Sequence, residues 1–302
     1  MNRRDILTSA LAVGTLAAVA DPRPAAATPG KSAVRNTTVR GKDGTLLFHR
    51  DWGEGRPVVF VSSWALTGEM WAYQVAQFSD AGYRCISYDR RGHGRSDPAG
   101  GGFDMDTLSD DLAAVIDGLG LKDVTLVGHS MGCAEIIHYL ARHGTGKVRN
   151  VAMLAPAAPY LVKTADNPYG APMANYDALT ASWRTGFHKW MRDNQAPFFT
   201  PETPMPIQDW LTAQMMSTPV PVAIATFRAN LGDRRPDLAK IDRPVLILHG
   251  DKDASAYLDF TGRRVAAGIK GAQLKVYPGA PHGLFVTHMD QVNRDLEAFL
   301  KA

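Results

Sequence analysis

The chain has 302 residues, 45% of them hydrophobic and 21% charged, with 33 Lys and Arg against 30 Asp and Glu. That length suits one large α/β domain carrying an insertion, or two smaller domains, and the composition is ordinary for a globular protein. A net charge of +3 without any long Lys/Arg run excludes the basic stripe that nucleic acid requires, so no nucleic-acid partner is expected.

Residues 1–20, MNRRDILTSALAVGTLAAVA, place Arg3 and Arg4 before an alanine-rich apolar stretch and end on Ala18-Val19-Ala20, a small-x-small cleavage signal. The stretch is too short and too alanine-rich for a membrane anchor and reads as an export signal. The paired arginines followed by Asp5-Ile6-Leu7 resemble the twin-arginine type, so a periplasmic or secreted protein is expected. Ala25-Ala26-Ala27 offers a second cleavage point, and residues 21–33 read as a flexible leader rich in Pro, Ala and Gly.

Beyond the leader, short apolar runs alternate with amphipathic ones. Residues 46–49, 58–61, 84–88, 124–127, 148–154, 245–248 and 274–277 read as strands. Several are near-continuous Val/Ile/Leu, the pattern of strands buried on both faces of a parallel sheet. Residues 69–80, 108–119, 131–142, 257–267 and 289–300 carry helical periodicity, with Asp106 or Thr107 as a candidate cap for the second. The alternation predicts a mostly parallel, doubly wound sheet built from residues 34–154 and 244–302. It breaks over residues 155–243, where Trp183, Trp190 and Trp210 lie among prolines 197, 201, 204, 206, 219 and 221. That stretch predicts a helical cap insertion crossing one end of the sheet. Cys85 and Cys133 each sit in an apolar run; export permits a disulfide, but two cysteines define no framework, and buried free thiols are expected.

The sharpest motif is Gly128-His129-Ser130-Met131-Gly132, which follows one predicted strand and opens a predicted helix. So tight a strand-to-helix turn leaves no room for side chains at the glycines and exposes the Ser130 hydroxyl, while the Met131 amide points where an oxyanion forms. A serine needs a base, and the base needs a carboxylate to hold its tautomer. Serine sets built on such elbows run Ser, acid, His along the chain. The strand at 245–248 runs into His249-Gly250-Asp251-Lys252-Asp253, which offers two acids. The strand at 274–277 runs into Pro278-Gly279-Ala280-Pro281-His282, and His282 alone of the nine histidines has the required order and loop position. His93, His129 and His249 read as packing or hydrogen-bonding residues. No His/Cys/Asp group has metal-ligand spacing, and the run Gly100-Gly101-Gly102 lacks the spacing of a phosphate cradle, so no cofactor is expected.

Taken in order, these segments resemble the α/β-hydrolases, and within them the cofactor-free bacterial haloperoxidases, perhydrolases and aryl esterases. Met70-Trp71-Ala72-Tyr73-Gln74, the run from Tyr88 to Asp97, Ile241-Asp242-Arg243-Pro244 and Pro281-His282-Gly283 carry the resemblance beside the elbow. It favours Asp253, three residues after Gly250, over Asp251 as the acid. It also implies that the backbone amides of Trp64 and Met131 form the oxyanion hole. Ser62-Ser63 stands where the group carries His-Gly, and a Cβ at position 63 disfavours positive φ there.

The resemblance implies a carboxylic-ester hydrolase working through an acyl-enzyme. The aromatic insertion implies a small to medium hydrophobic or aryl ester, with Trp64, Trp183, Phe187, Trp190 and Phe198 as candidate pocket residues. Attack of hydrogen peroxide on the same acyl-enzyme, giving a peracid, is the alternative, with lactone hydrolysis also open. Perhydrolysing members often carry proline after the oxyanion aromatic, where this chain has Ala65. A non-catalytic binding protein would have no use for so complete a nucleophile, base and acid.

Overall fold

The computed structural model describes residues 36–302; the expected export signal and the leader lie outside the described residues. The elements at the start of the chain are β1 (Thr38–Arg40), β2 (Leu46–Trp52), β3 (Arg56–Val61), a 3₁₀ turn (Gly68–Trp71), α1 (Ala72–Asp80), β4 (Tyr83–Tyr88) and α2 (Met105–Gly118). They are followed by β5 (Val124–His129), α3 (Met131–His143) and β6 (Val148–Leu154). The long connection after β6 holds α4 (Met173–Asp193), a 3₁₀ turn (Ala196–Phe198), α5 (Met205–Ser217), α6 (Val220–Ala229) and α7 (Arg235–Leu238). The chain then returns through β7 (Val245–Gly250), α8 (Gly262–Gly268), β8 (Gln273–Tyr277), α9 (Leu284–Thr287) and α10 (Met289–Lys301).

The eight strands form one sheet in the order β1-β2-β4-β3-β5-β6-β7-β8. β2 is antiparallel to its neighbours β1 and β4, and every pair from β4 to β8 is parallel. Because successive side chains of a strand face opposite sides, the continuous apolar runs serve two cores at once. Val58 and Phe60 pack on one face with Val75 and Phe78 of α1 and Val292, Leu296 and Leu300 of α10. Val59 and Val61 pack on the other with Leu108 and Leu112 of α2 and Ile136, Ile137 and Leu140 of α3. Cys85 and Cys133 are both buried free thiols. Among the described residues no helix is long and apolar enough to cross a membrane.

Two local readings are corrected. α2 starts at Met105 and is capped by Asp104, whose side chain accepts the Thr107 amide, so neither Asp106 nor Thr107 is the cap. The helix expected at 257–267 shrinks to α8, because the preceding chain is tied down by the Asp253 carboxylate, which accepts the amides of Ser255 and Ala256. β8, the last strand of the sheet, is half exposed.

Parallel strands deliver their carboxyl ends to one edge. β3 ends before Ser62-Ser63-Trp64, β5 runs into Ser130, β7 precedes Asp253 and β8 precedes His282. The sheet thereby gathers four loops that are far apart in sequence.

Candidate active site

Ser130 takes φ 56° and ψ −117°, a left-handed conformation that a residue with a Cβ adopts at a cost of roughly 1–3 kcal/mol. The strain is held by neighbours: the Ser130 amide donates to Leu154 O at 3.0 Å, and its carbonyl accepts the Cys133 and Ala157 amides at 3.1 Å each. Gly132 shows why the motif needs its second glycine. A Cβ there would meet Val61 O at 2.5 Å and Ser62 O at 2.7 Å, driving α3 off the end of β3.

The Ser130 hydroxyl lies 2.9 Å from His282 Nε2. His282 Nδ1 lies 2.7 Å from Asp253 Oδ2, which makes Nδ1 the donor and leaves Nε2 to receive the serine proton. The Asp253 side chain is buried, and its other oxygen accepts the Ser255 amide at 2.8 Å and the Ala256 amide at 2.7 Å. Burial works against the carboxylate's charge, but the attraction of His282 and hydrogen bonds from His249 and His282 outweigh it, holding Asp253 well below the usual carboxylate range. Asp251 is exposed, accepts the Gly279 amide, and does not join this set.

His129, inside the elbow, packs beside the His282 ring and places Nε2 at 2.8 Å from the His282 carbonyl, pinning the backbone at His282. Burial, reinforced by the nearby His282, pushes its pKa down to about 3, so at neutral pH it is an uncharged donor. His249, read from the sequence as a structural residue, places Nε2 3.1 Å from Asp253 Oδ2.

On the other side of Ser130, the backbone amides of Trp64 and Met131 have no acceptor among the described residues, and both residues line the cavity that opens over Ser130. The positive φ of this loop falls at Ala65 (57°) and not at Ser63, so the serine that replaces glycine does not strain the turn. Beneath the loop lies a group the sequence did not reveal. Arg90 is buried, donates through Nη2 to Ser62 O at 2.8 Å and through Nη1 to Ser63 O at 3.2 Å, and is paired with Glu135 of α3. Tyr88 donates to the second oxygen of Glu135 at 2.9 Å. Burial opposes Arg90's charge, but the Glu135 carboxylate more than restores it.

The cavity over Ser130 has a volume of about 490 Å³. Trp64, Trp190 and Phe198 line it together with Leu179, Met191 and Phe227, and its wall contains no Asp, Glu, Lys or Arg. Trp183 and Phe187 do not line it. They lie buried behind Trp64, whose indole stacks on Trp183 at 4.9 Å and meets Phe187 edge-on at 6.0 Å, because this face of α4 turns towards the core. Two other hollows, of about 510 Å³ each, lie at the amino ends of β5, β6 and β7 and beside α2 and α3, and contain none of these residues.

Residues 56–289 match the family model for the alpha/beta hydrolase fold. A non-heme chloroperoxidase of Kitasatospora aureofaciens is 40% identical over 267 residues, covering 86% of this chain and 97% of that relative. A bifunctional esterase/perhydrolase of Acinetobacter calcoaceticus is 34% identical, covering 87% of this chain and 99% of its own length. Among solved structures, a bromoperoxidase from Bacillus anthracis and an esterase from Exiguobacterium antarcticum each superpose with a TM-score of 0.85 at 31% identity, over 89% of this chain and all of theirs. The chain belongs to the α/β-hydrolase family, alongside non-heme haloperoxidases and esterases.

Proposed function

We propose that the protein hydrolyses uncharged carboxylic esters of small to medium size through an acyl-enzyme on Ser130. The observation that carries this reading is the continuous path from Ser130 Oγ to His282 Nε2 at 2.9 Å and from His282 Nδ1 to Asp253 Oδ2 at 2.7 Å. As Oγ attacks the acyl carbon, His282 takes its proton and Asp253 steadies the imidazolium. The negative charge on the former carbonyl oxygen is met by the amides of Trp64 and Met131. His282 then passes the proton to the leaving alkoxide, which departs as alcohol. In the second half, His282 draws a proton from water as its oxygen adds to the acyl group. Collapse of that adduct returns the proton to Ser130 Oγ and releases the acid.

A wall without Asp, Glu, Lys or Arg argues for an uncharged substrate, since a charge buried without a partner pays a large desolvation penalty. The helices between β6 and β7 act as the cap that closes this site and shapes its apolar wall. A second reading is favoured by the 40% identity to a chloroperoxidase: hydrogen peroxide takes the place of water, and the acyl group leaves as a peracid with Ser130 Oγ–H restored.

Purified protein should hydrolyse p-nitrophenyl acetate, and Ser130→Ala should abolish turnover while Ser62→Ala and Ser63→Ala retain it. Undiminished turnover in Ser130→Ala would remove the assignment. Bromide oxidation in acetate buffer with hydrogen peroxide, measured on the same sample, tests the peracid route.

A further inference from the structure

We propose that His249 is a positioning residue that fixes the Asp253 carboxylate and tunes how strongly it supports His282. The inference rests on the reading of Ser130, His282 and Asp253 given above, and adds a fourth member behind the acid.

Asp253 accepts three hydrogen bonds and has a fourth nitrogen close by. Oδ1 accepts the amides of Ser255 and Ala256, Oδ2 accepts His282 Nδ1 at 2.7 Å, and His249 Nε2 lies 3.1 Å from the same Oδ2. Two imidazoles therefore flank the same carboxylate oxygen. His249 Nε2 also lies 2.8 Å from Ala256 O. Both atoms facing Nε2 are acceptors, so the proton sits on Nε2, hydrogen-bonded to Ala256 O with Asp253 Oδ2 beside it. This ties the carboxylate oxygen, the backbone of residue 256 and the end of β7 into one unit.

The far side of the ring makes a purely space-filling role a poor account. His249 is fully buried, and its Nδ1 has no hydrogen-bond partner. A buried nitrogen without a partner costs stability, a cost that an apolar side chain of similar size would avoid. The fold nevertheless makes room for the imidazole: a Cβ on Gly262, at the start of α8, would come within 2.3 Å of Nδ1. A ring kept at a cost, in a space shaped for it, with its N–H held by Ala256 O beside the triad acid, points to that N–H as the reason for its presence.

The consequence is chemical. An N–H dipole beside Oδ2 draws charge towards itself from the oxygen that faces His282 and resists rotation of the carboxylate. Without it, Oδ2 stabilises the imidazolium more strongly in the resting enzyme but holds the ring less firmly. The ionisable groups facing His249 among the described residues are Asp253 and His282, with His129 across β6. His129 remains uncharged down to about pH 3 and does not titrate in the working range.

The test compares the parent with His249→Phe and His249→Gln, whose amide nitrogen occupies nearly the position of Nε2. Active sites are counted with a fluorophosphonate, and kcat and KM for p-nitrophenyl acetate are followed from pH 5 to 9. The expected result for His249→Phe is a fall in kcat of about tenfold per titrated site, as for loss of a hydrogen bond to a charged group. KM stays unchanged, and the acid limb of kcat/KM moves to higher pH. His249→Gln restores the parental limb and most of kcat. An unmoved limb and undiminished kcat in His249→Phe, or an equal loss in both variants, overturns the proposal. Should His249→Phe not fold, Gly262→Ala takes its place, since it keeps the imidazole but presses on Nδ1. The same upward movement of the limb is expected, and an unmoved limb overturns the proposal. A parent that neither labels nor turns over ester refutes the parent reading instead, so the two failures are distinguishable.

Discussion

Removing the Glu135 carboxylate tests what supports the loop bearing Trp64. Glu135→Leu deletes an acceptor of three bonds, from Arg90 Nε at 2.8 Å, Arg90 Nη2 at 2.5 Å and the Tyr88 hydroxyl at 2.9 Å. Arg90 stays behind, its side chain 2% exposed, as a buried charge whose remaining partners are the Ser62 and Ser63 carbonyls. Breaking a buried pair from one side costs about 3–5 kcal/mol. For a domain of this size that lowers Tm by roughly 6–20 °C. Removing both charges, in Arg90→Met with Glu135→Leu, exchanges the pair for apolar volume and should restore most of the lost stability. It should not restore turnover. The Ser62 and Ser63 carbonyls lose their donors, the Trp64 amide is no longer held from below, and kcat falls by about tenfold, since a loosened oxyanion donor forfeits part of the hundredfold or more that one such donor supplies. Thermal melts and p-nitrophenyl acetate kinetics read both quantities. A single variant melting within about 2 °C of the parent, or a double variant with full kcat, would refute the reasoning.

Three further outcomes are expected. Asp253→Asn should cost far more turnover than Asp251→Asn, because Asp251 accepts the Gly279 amide at an exposed position; equal kcat losses would reassign the acid. Trp190→Ala and Phe198→Ala should change the ratio of hexanoate to acetate ester hydrolysis, whereas an unchanged ratio in both folded variants would mean that neither wall residue selects the acyl group. Acid stability should depend on the buried rings of His93 and His129. Their unfolded pKa lies near 6.5 and burial lowers it to about 3, so between those limits the unfolded chain binds more protons and stability falls as pH drops. Each ring contributes about 1.4 kcal/mol per pH unit at most. Urea unfolding of His129→Gln between pH 4.5 and 6.5 should show a shallower slope than the parent, and an identical slope would discard this account.

Residues whose role depends on local chain geometry could be read from the sequence. Ser130 sits on a strand–turn–helix whose glycines are dictated by space, and His282 follows a strand in the required order. Roles created by tertiary packing could not. Arg90 and Glu135 lie 45 residues apart, and nothing local to either announces the pair. His249 reads as the polar end of a strand until Asp253 is placed beside it. A helical stripe records a period but not which neighbour it meets, which is why Trp183 and Phe187 belong to the core while Trp190, on the same helix, reaches the cavity. β1, three residues long, is too short for alternation to register.

The indole of Trp64 is joined to the segment after β6. Besides the stack on Trp183 it meets Trp190 and Phe227, and its Nε1 donates to Ala223 O of α6 at 2.8 Å. A hinge that lifted these helices clear of the sheet would drag Trp64 and its backbone amide with it. The exposed rings of Tyr257 and Phe260 belong to the same cavity wall, and entry past them would leave the helices in place. The same linkage constrains divergence: grafting this segment from a relative would transplant a new acyl wall and a new seat for Trp64 together, so selectivity and rate would drift as one trait.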